Sequence, residues 1–569
     1  MQKRWSIKPK ADKTIAAKLA SDLNIDSVIA NILVQRGINN FDEAKKFFRP
    51  SLTDLHDPFL MKDMDKAIDR LNKAIAGNEK VLIYGDYDVD GTTAVALVYS
   101  FLQKIIPDKI EYYIPDRYSE GYGISFQGID YAKANNFTLI IALDCGIKAI
   151  DKINYANEKN IDFIIGDHHL PGDTLPAAVA VLDPKRSDCS YPFKELCGCG
   201  IGFKIVQAYA QTNNIAFDEL YEYLDLTAIS IAADIVPIVD ENRILCYYGL
   251  EQINNKPRRG IKTILDLAGI KKQVKVNELV FTLAPRINAA GRIETGRNAV
   301  DLLLSDNHAG ATLSGQTINT NNTDRRALDT TITQHALSMM EENEEWISRK
   351  STVLFHADWH KGVVGIVASR LIEKYYKPTI VLTESNGKAT GSARSVKDFD
   401  VHAAIEACAD LLEQFGGHKY AAGLTLKLEN VAAFQQRFEE VVSATIEEYM
   451  LTPEIEIDAE ITLEEITPKF YRILKQFEPF GPGNMSPVFL TKELVDKGYS
   501  RVVGTNHLKL DVQSVHNSKL SFPAIAFGQA NHFEEISTKK IFDACYAIEE
   551  NEFNGNITLQ LNIKDLKIQ

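Results

Sequence analysis

Asp86, Asp88 and Asp90 occupy alternate positions in YGDYDVDGTTA (84–94), and Asp167, His168 and His169 stand side by side in GDHH (166–169). Asp144 lies in ALDCGI (142–147), and Asp234 ends the apolar run 228–233 of TAISIAADIVPI (227–238). Carboxylates and imidazoles brought together repel or desolvate one another unless positive charge lies between them. A pair of divalent cations is the simplest remedy, and oxygen-rich ligands suit Mn²⁺ or Mg²⁺. Two such ions about 3.5–4 Å apart clamp phosphoryl oxygens and acidify a bound water, so the expected chemistry is in-line hydrolysis of a phosphodiester.

Other readings of these residues fit less well. Asp-x-Asp-x-Asp-Gly also begins a calcium-binding EF-hand loop, but the twelfth position, which needs Glu, is Leu97. Solvated aspartates or helix caps could explain one cluster, but not acids after three successive strands. No Gly-x4-Gly-Lys-Ser/Thr loop is present, so P-loop nucleotide chemistry is unsupported.

The elements that must position these groups follow from short apolar runs alternating with amphipathic stretches. Residues 81–84, 110–114, 138–143, 163–165 and 179–182 read as buried strands, with a helix from about residue 92 and further helices between most strands. This alternation predicts a parallel sheet. The acids and histidines then fall at carboxyl ends of strands, on the rim where open α/β sheets bind ligands. Residues 1–50 read as a polar, helical lead-in, 51–305 as the phosphoesterase domain, and 306–348 as one or two connecting helices. A second α/β unit is expected over 349–450, with strands 352–355 and 379–382 and a helix from about 362. From 453 the period becomes two, as in EIEIDAEITL and NITLQLNIKDLKI, so 451–569 reads as a β domain, expected to be a barrel, with Asn554-Gly555 suiting a tight hairpin turn.

Composition sets bounds. A chain of 569 residues exceeds one hydrophobic core, and 45% hydrophobic with 25% charged residues is ordinary for a soluble protein. No apolar run suits a membrane span, and the basic N-terminus lacks the apolar stretch of a signal peptide. Seven cysteines suggest no disulfide framework, and Cys197-Gly-Cys199 is not zinc spacing, so buried thiols in a reducing cytoplasm are expected. A net charge of −14 is the wrong sign for nucleic acid and demands a confined basic track if DNA is the substrate.

The ordered motifs resemble those of the DHH phosphoesterase superfamily. Farther along, PRINAAGR (285–292), HKGVVGIVASRL (360–371), GSARS (391–395), GGHKYAAG (416–423) and EPFGPGN (478–484) resemble the RecJ family of single-strand-specific 5′→3′ exonucleases, over residues 50 to 569. The resemblance implies a DHH domain, a long connecting helix, a DHHA1 domain and an OB fold. It implies Asp88, Asp90, Asp144, His168 and Asp234 as metal ligands, with Asp86 and His169 in or beside the first shell, and Asp225 as the competitor to Asp234. It implies a metal-dependent exodeoxyribonuclease of DNA repair and recombination that releases 5′-mononucleotides. It also implies a cytoplasmic monomer, with single-strand-binding protein and a helicase as partners. The weaker alternatives are a DHH phosphoesterase for short oligonucleotides or cyclic dinucleotides, and a non-catalytic replication scaffold.

Specificity must lie outside the metals. Arg117, Arg286, Asn288 and Arg292 are candidate phosphate contacts, since guanidinium groups match phosphate oxygens. Ser392, Arg394 and Ser395 form a candidate anion site, with the backbone N–H groups of GSARS as a nest. Gly417 would allow close backbone approach beside His418. His360 is expected near the site, whereas Trp359 could stack a base or simply pack. In the last domain, Phe489, Tyr499, Arg501, Lys509 and Phe527 could line a groove but read more simply as core or surface.

Overall fold

The computed structural model describes residues 2–553 and 555–569. The chain forms two compact units. One comprises Arg49–Arg326 with Glu478–Met485, and the other Met1–Phe48, Ala327–Phe477 and Ser486–Gln569.

The first unit is built on five parallel strands in the order Ile110–Tyr113, Lys80–Gly85, Phe137–Leu143, Asp162–Gly166, Ala180–Leu182. Adjacent side chains of a strand face opposite layers. Ile83 accordingly joins the core beneath the helices Val89–Gln103, Gly198–Thr212 and Leu224–Ala233, while Leu82 joins the core beneath Phe126–Ala134 and Ile150–Glu158. Both side chains are fully buried, so truncating either to alanine should cost about 2–5 kcal/mol. Covered on both faces, the sheet shows the near-continuous apolar runs seen in the sequence.

The second unit contains a five-stranded sheet in the order Gln414–His418, Ala421–Lys427, Lys388–Arg394, Thr379–Ser385, Thr352–Phe355, of which only the last pair is parallel. The helices Val364–Tyr375 and Val431–Thr445 accompany it. Phe434 and Phe438 anchor its core against Leu424 and Leu426. In the C-terminal region, Phe489–Asp496, Phe542–Phe553, Asn556–Ile568, Asn517–Ala526 and His507–Ser514 pair in succession, and the last pairs with the first, closing a ring of strands. Of the expected turn pair, Asn554 lies outside the described residues.

The connecting region 306–348 is dominated by a single 34-residue helix, His308–Glu341. The N-terminal segment is not wholly helical: Arg4–Ile7 is a strand, paired in parallel with Glu454–Ile457. A partner some 450 residues away leaves no trace in local sequence, which explains why this strand reads as lead-in. All seven cysteines are free and buried. Among the described residues, no helix is long and apolar enough to cross a membrane.

Candidate metal centre

Each acidic group is delivered by a strand end or a helix end. Asp86 lies one residue past strand Lys80–Gly85, and Asp88 caps helix Val89–Gln103 by accepting from the Gly91 N–H (3.1 Å). Asp90, in the first turn of that helix, receives the Gly198 and Cys199 N–H groups (2.7 Å each) and the Ser230 hydroxyl (2.6 Å). Those amides open helix Gly198–Thr212, so a helix N-terminus favours the Asp90 charge. Asp144 follows strand Phe137–Leu143 with φ 60°, and Asp234 is the C-cap of helix Leu224–Ala233.

Three of these groups converge on one imidazole. His168 Nε2 lies 3.2 Å from Asp144 Oδ1, 3.5 Å from Asp90 Oδ2 and 3.7 Å from Asp234 Oδ2. Asp90, His168 and Asp234 each offer a ligand atom, all within 4.8 Å of one another, as do Asp144, His168 and His169. Asp225 instead lies buried in an ion pair with Arg258, whose Nε is 3.0 Å from Oδ2.

The cluster is electrostatically unbalanced. Burial, followed by the neighbouring carboxylates, pushes Asp86, Asp88, Asp144 and Asp234 above the usual carboxylate range. Burial likewise lowers His168. Nδ1 of His168 is buried without a hydrogen-bond partner, and no well-aligned hydrogen bond reaches buried Oδ1 of Asp144, although His168 Nε2 lies 3.2 Å away. Unsatisfied buried charge is costly, and this donor set of carboxylate oxygens and imidazole nitrogens fits divalent cations. Asp167 plays another part: it accepts the N–H groups of Ile147, His168 and His169 and the His169 Nδ1–H (2.7 Å). Burial would raise the Asp167 carboxyl, but His169 and the amides outweigh it and hold it at about 2. Burial would lower His169, but Asp167 outweighs it and raises the imidazole to about 9.

Two contributions escaped the sequence reading. The Cys-Gly-Cys-Gly stretch supplies the amides that hold Asp90, and a Cβ at Gly198 would stand 2.6 Å from Asp144 Cβ, so only glycine lets the helix approach. The clustered small residues were the available signal. Tyr122 places its hydroxyl 3.3 Å from His169 Nε2, with its ring 56% exposed.

The phosphate candidates divide. Arg117 lies over the Tyr87 ring (4.8 Å), and the Tyr118 hydroxyl donates to the Arg292 carbonyl. Gly291 packs on the Tyr87 backbone, bringing helix Ala284–Ile293, with half-buried Asn288 and Arg292, to the loop that carries Asp86 and Asp88. Arg286 bonds Asn319 Oδ1 (3.2 Å) and the Thr282 carbonyl (2.9 Å).

In the second unit the expected backbone nest does not form. Gly391–Arg394 lies inside strand Lys388–Arg394, whose backbone pairs on both sides, so its amides belong to the ladder. The side chains remain. Arg394 donates to Ser392 Oγ (2.7 Å) and the Ala393 carbonyl (2.8 Å). A Cβ at Gly365, near the start of helix Val364–Tyr375, would stand 2.9 Å from its guanidinium. Burial lowers the Arg394 pKa, and no carboxylate pairs with it among the described residues. Ser395 donates instead to the Phe399 carbonyl (2.9 Å). Gly417 (φ 145°) serves its own hairpin, since a Cβ would clash with Ala421 and Ala422, and His418 ends that strand exposed. His360 Nδ1 accepts the Gly362 N–H (3.1 Å) before helix Val364–Tyr375. Trp359 packs: it is buried and donates to His335 Nδ1 (3.2 Å). In the C-terminal region Phe489 is core, whereas Tyr499 and Phe527 are exposed.

Residues 80–231 match the DHH family N-terminal domain, 349–444 the DHHA1 domain and 457–565 the RecJ OB domain. The architecture is that of a DHH-family protein carrying a DHHA1 and an OB domain. The single-stranded-DNA-specific exonuclease RecJ of Bacillus subtilis (strain 168) is 38% identical, covering 99% of this chain and 71% of the relative. That of Salmonella typhimurium is 33% identical, covering 99% of each. The structure of RecJ from Thermus thermophilus in complex with Mn²⁺ superposes with a TM-score of 0.85 at 25% identity, over 99% of this chain and 79% of that one. The chain belongs to the RecJ family.

Proposed function

We propose that this chain is a single-strand-specific DNA exonuclease that hydrolyses phosphodiesters from the 5′ end to 5′-mononucleotides, using two Mn²⁺ or Mg²⁺ ions. The observation that carries this reading is the buried cluster in which His168 Nε2 lies within 3.7 Å of three carboxylates, with orphaned acceptor and donor atoms beside it. Its membership of the RecJ family supports the substrate class, and the relatives' Mn²⁺ and Mg²⁺ complexes support the metals.

Asp88, Asp90, Asp144, His168 and Asp234 would hold the ions, with Asp86 beside them. When bound, these neutralise charge on the phosphoryl oxygens and supply an acidified water. His169, oriented through Nδ1 by Asp167, would hold the scissile phosphate or protonate the leaving oxygen. Arg117, Asn288 and Arg292 would steady the backbone of the strand near Tyr87. Arg394 and Ser392, beside a helix N-terminus, would take a phosphate of the strand, with His360 and His418 as further contacts.

The test compares a 5′-labelled long single strand, the same strand annealed to its complement, and a dinucleotide, each with Mn²⁺. Label should leave the single strand as mononucleotide, while the duplex resists and the dinucleotide reacts far more slowly. Comparable rates on dinucleotide and long strand would favour the short-oligonucleotide reading instead.

A further inference from the structure

The motif EPFGPGN has no part in the chemistry above, yet its placement is unusual. Residues Glu478–Met485 belong to the phosphoesterase unit, although the chain on either side, up to Phe477 and from Ser486, belongs to the other unit. The segment is closed on itself: Gly481 and Asn484 exchange backbone hydrogen bonds (3.1 and 2.8 Å), and the buried Asn484 side chain donates to the Pro479 carbonyl (2.9 Å).

What it grips is the backbone immediately after Asp234. The Ile238 N–H donates to the Pro482 carbonyl (2.7 Å). A Cβ at Gly481 would stand 2.4 Å from Ile238 Cδ1, and one at Gly483 (φ 72°) 3.0 Å from Val239 Cγ1 and 3.4 Å from Pro237 Cβ. Arg243 donates to the Glu478 carbonyl (3.0 Å), while its neighbour Asn242 donates to the carbonyls of Pro237 (3.0 Å) and Glu195 (2.6 Å). Glu195 in turn lies just ahead of the Gly198 and Cys199 amides that hold Asp90.

The gripped loop is strained where it leaves the cluster. Ile235, directly after Asp234, is β-branched yet has φ 61° and is 66% exposed. A β-branched residue in the left-handed region is a true outlier, and such strain persists only where its surroundings impose it. On one side the constraint is helix Leu224–Ala233, whose C-cap is Asp234. On the other it is the clasp on Pro237–Val239.

We propose that Glu478–Met485 is a positioning clasp for the metal centre, fixing the backbone past Asp234 and so the direction of its carboxylate. The inference rests on Asp234 as a metal ligand. Residues that orient metal ligands without touching the ion typically change affinity 10–100-fold when altered.

Gly483→Ala, which strains the clasp, and Arg243→Lys, which loses the guanidinium's forked hold on the Glu478 (3.0 Å) and Pro479 (3.4 Å) carbonyls, test the proposal in the full-length protein. Mn²⁺ binding is measured by calorimetry, alongside thermal melting of the metal-free protein. Both variants should stay folded well above the assay temperature, with at most a small loss in melting temperature, yet bind the weaker Mn²⁺ about tenfold less tightly. Excess Mn²⁺ should restore cleavage with KM for the strand unchanged, a rescue that a general packing role would not give. Should Gly483→Ala melt early, Arg243→Lys decides. Parental Mn²⁺ affinity in a folded variant overturns the clasp. Asp234→Asn separates the two claims: losing one Mn²⁺ there while the clasp variants bind normally sinks the clasp alone, whereas normal binding by Asp234→Asn sinks the ligand assignment.

Discussion

At the rim of the parallel sheet, Asp90, Asp144 and Asp234 gather around the buried imidazole of His168, with Asp86 and Asp88 on the neighbouring loop. On strand Lys388–Arg394 the imbalance has the opposite sign: Arg394 is a half-buried cation whose hydrogen bonds go to a hydroxyl and a carbonyl, and its partial burial lowers its pKa. Each region withholds stability until a ligand of the other sign arrives, because buried charge without a counter-charge is costly. The acid-rich rim suits cations that do chemistry, whereas the lone guanidinium suits an anion that is held. A net charge of −14 is therefore compatible with phosphate recognition, since recognition needs local charge alone.

The largest effect should come from the rim. Asp144→Asn, tolerable at φ 60°, should cut cleavage on the order of 10³-fold or more while relieving repulsion. Its metal-free melting temperature should rise, by about 2–4 °C per kcal/mol recovered. Asp90→Asn should abolish cleavage as fully but lower that melting temperature, because an amide nitrogen would meet the donors from Gly198, Cys199 and Ser230. Mn²⁺ should raise the melting point of the parent by mass action and that of neither variant. Equal melting shifts in the two variants would break the contrast between an unsatisfied and a satisfied carboxylate.

That contrast also marks how far the sequence could be read. The strand ends were legible because doubly covered parallel strands are apolar throughout, which places Asp86, Asp144 and Asp167 without coordinates. What local pattern could not carry was contact between distant segments. The amides of Gly198 and Cys199 reach Asp90 across more than a hundred residues, and the Cys-Gly-Cys-Gly run reads only as small and buried. GSARS reads as a turn-like nest because Gly and Ser favour turns, but its neighbours draw it into a strand interior. Asp225 and Asp234 bracket the same apolar helix, and tertiary contacts distinguish their surroundings, Arg258 for the one and His168 for the other.

The guanidinium region should respond in binding. Arg394→Met should raise KM for a 5′-phosphorylated strand roughly 10–100-fold, the worth of a hydrogen bond to a charged group, with kcat within a few-fold. The variant should melt close to the parent, because it removes a half-buried cation that pairs with no carboxylate among the described residues. A collapse of kcat with KM unchanged would make Arg394 part of the chemistry and erase the division between the two regions. At the rim again, Tyr122→Phe removes only the hydroxyl beside His169 Nε2 and should slow cleavage by a few-fold, read as kcat at saturating strand.

The finest comparison lies within GSARS itself. Ser392 and Ser395 stand close in sequence but differ in what their hydroxyls already do. Ser392 Oγ accepts from Arg394 and sits by the start of helix Val364–Tyr375, so Ser392→Ala frees the guanidinium to move and should raise KM by a few-fold. Ser395 spends its hydroxyl on the Phe399 carbonyl and its N–H on the Tyr420 carbonyl. Ser395→Ala should therefore cost about 0.5–1.5 kcal/mol of stability and leave KM within about twofold. Steady-state kinetics on one strand decide it: a larger KM effect at Ser395 than at Ser392 would mean that phosphate is met by the loop after the strand, not by the side chains that line it.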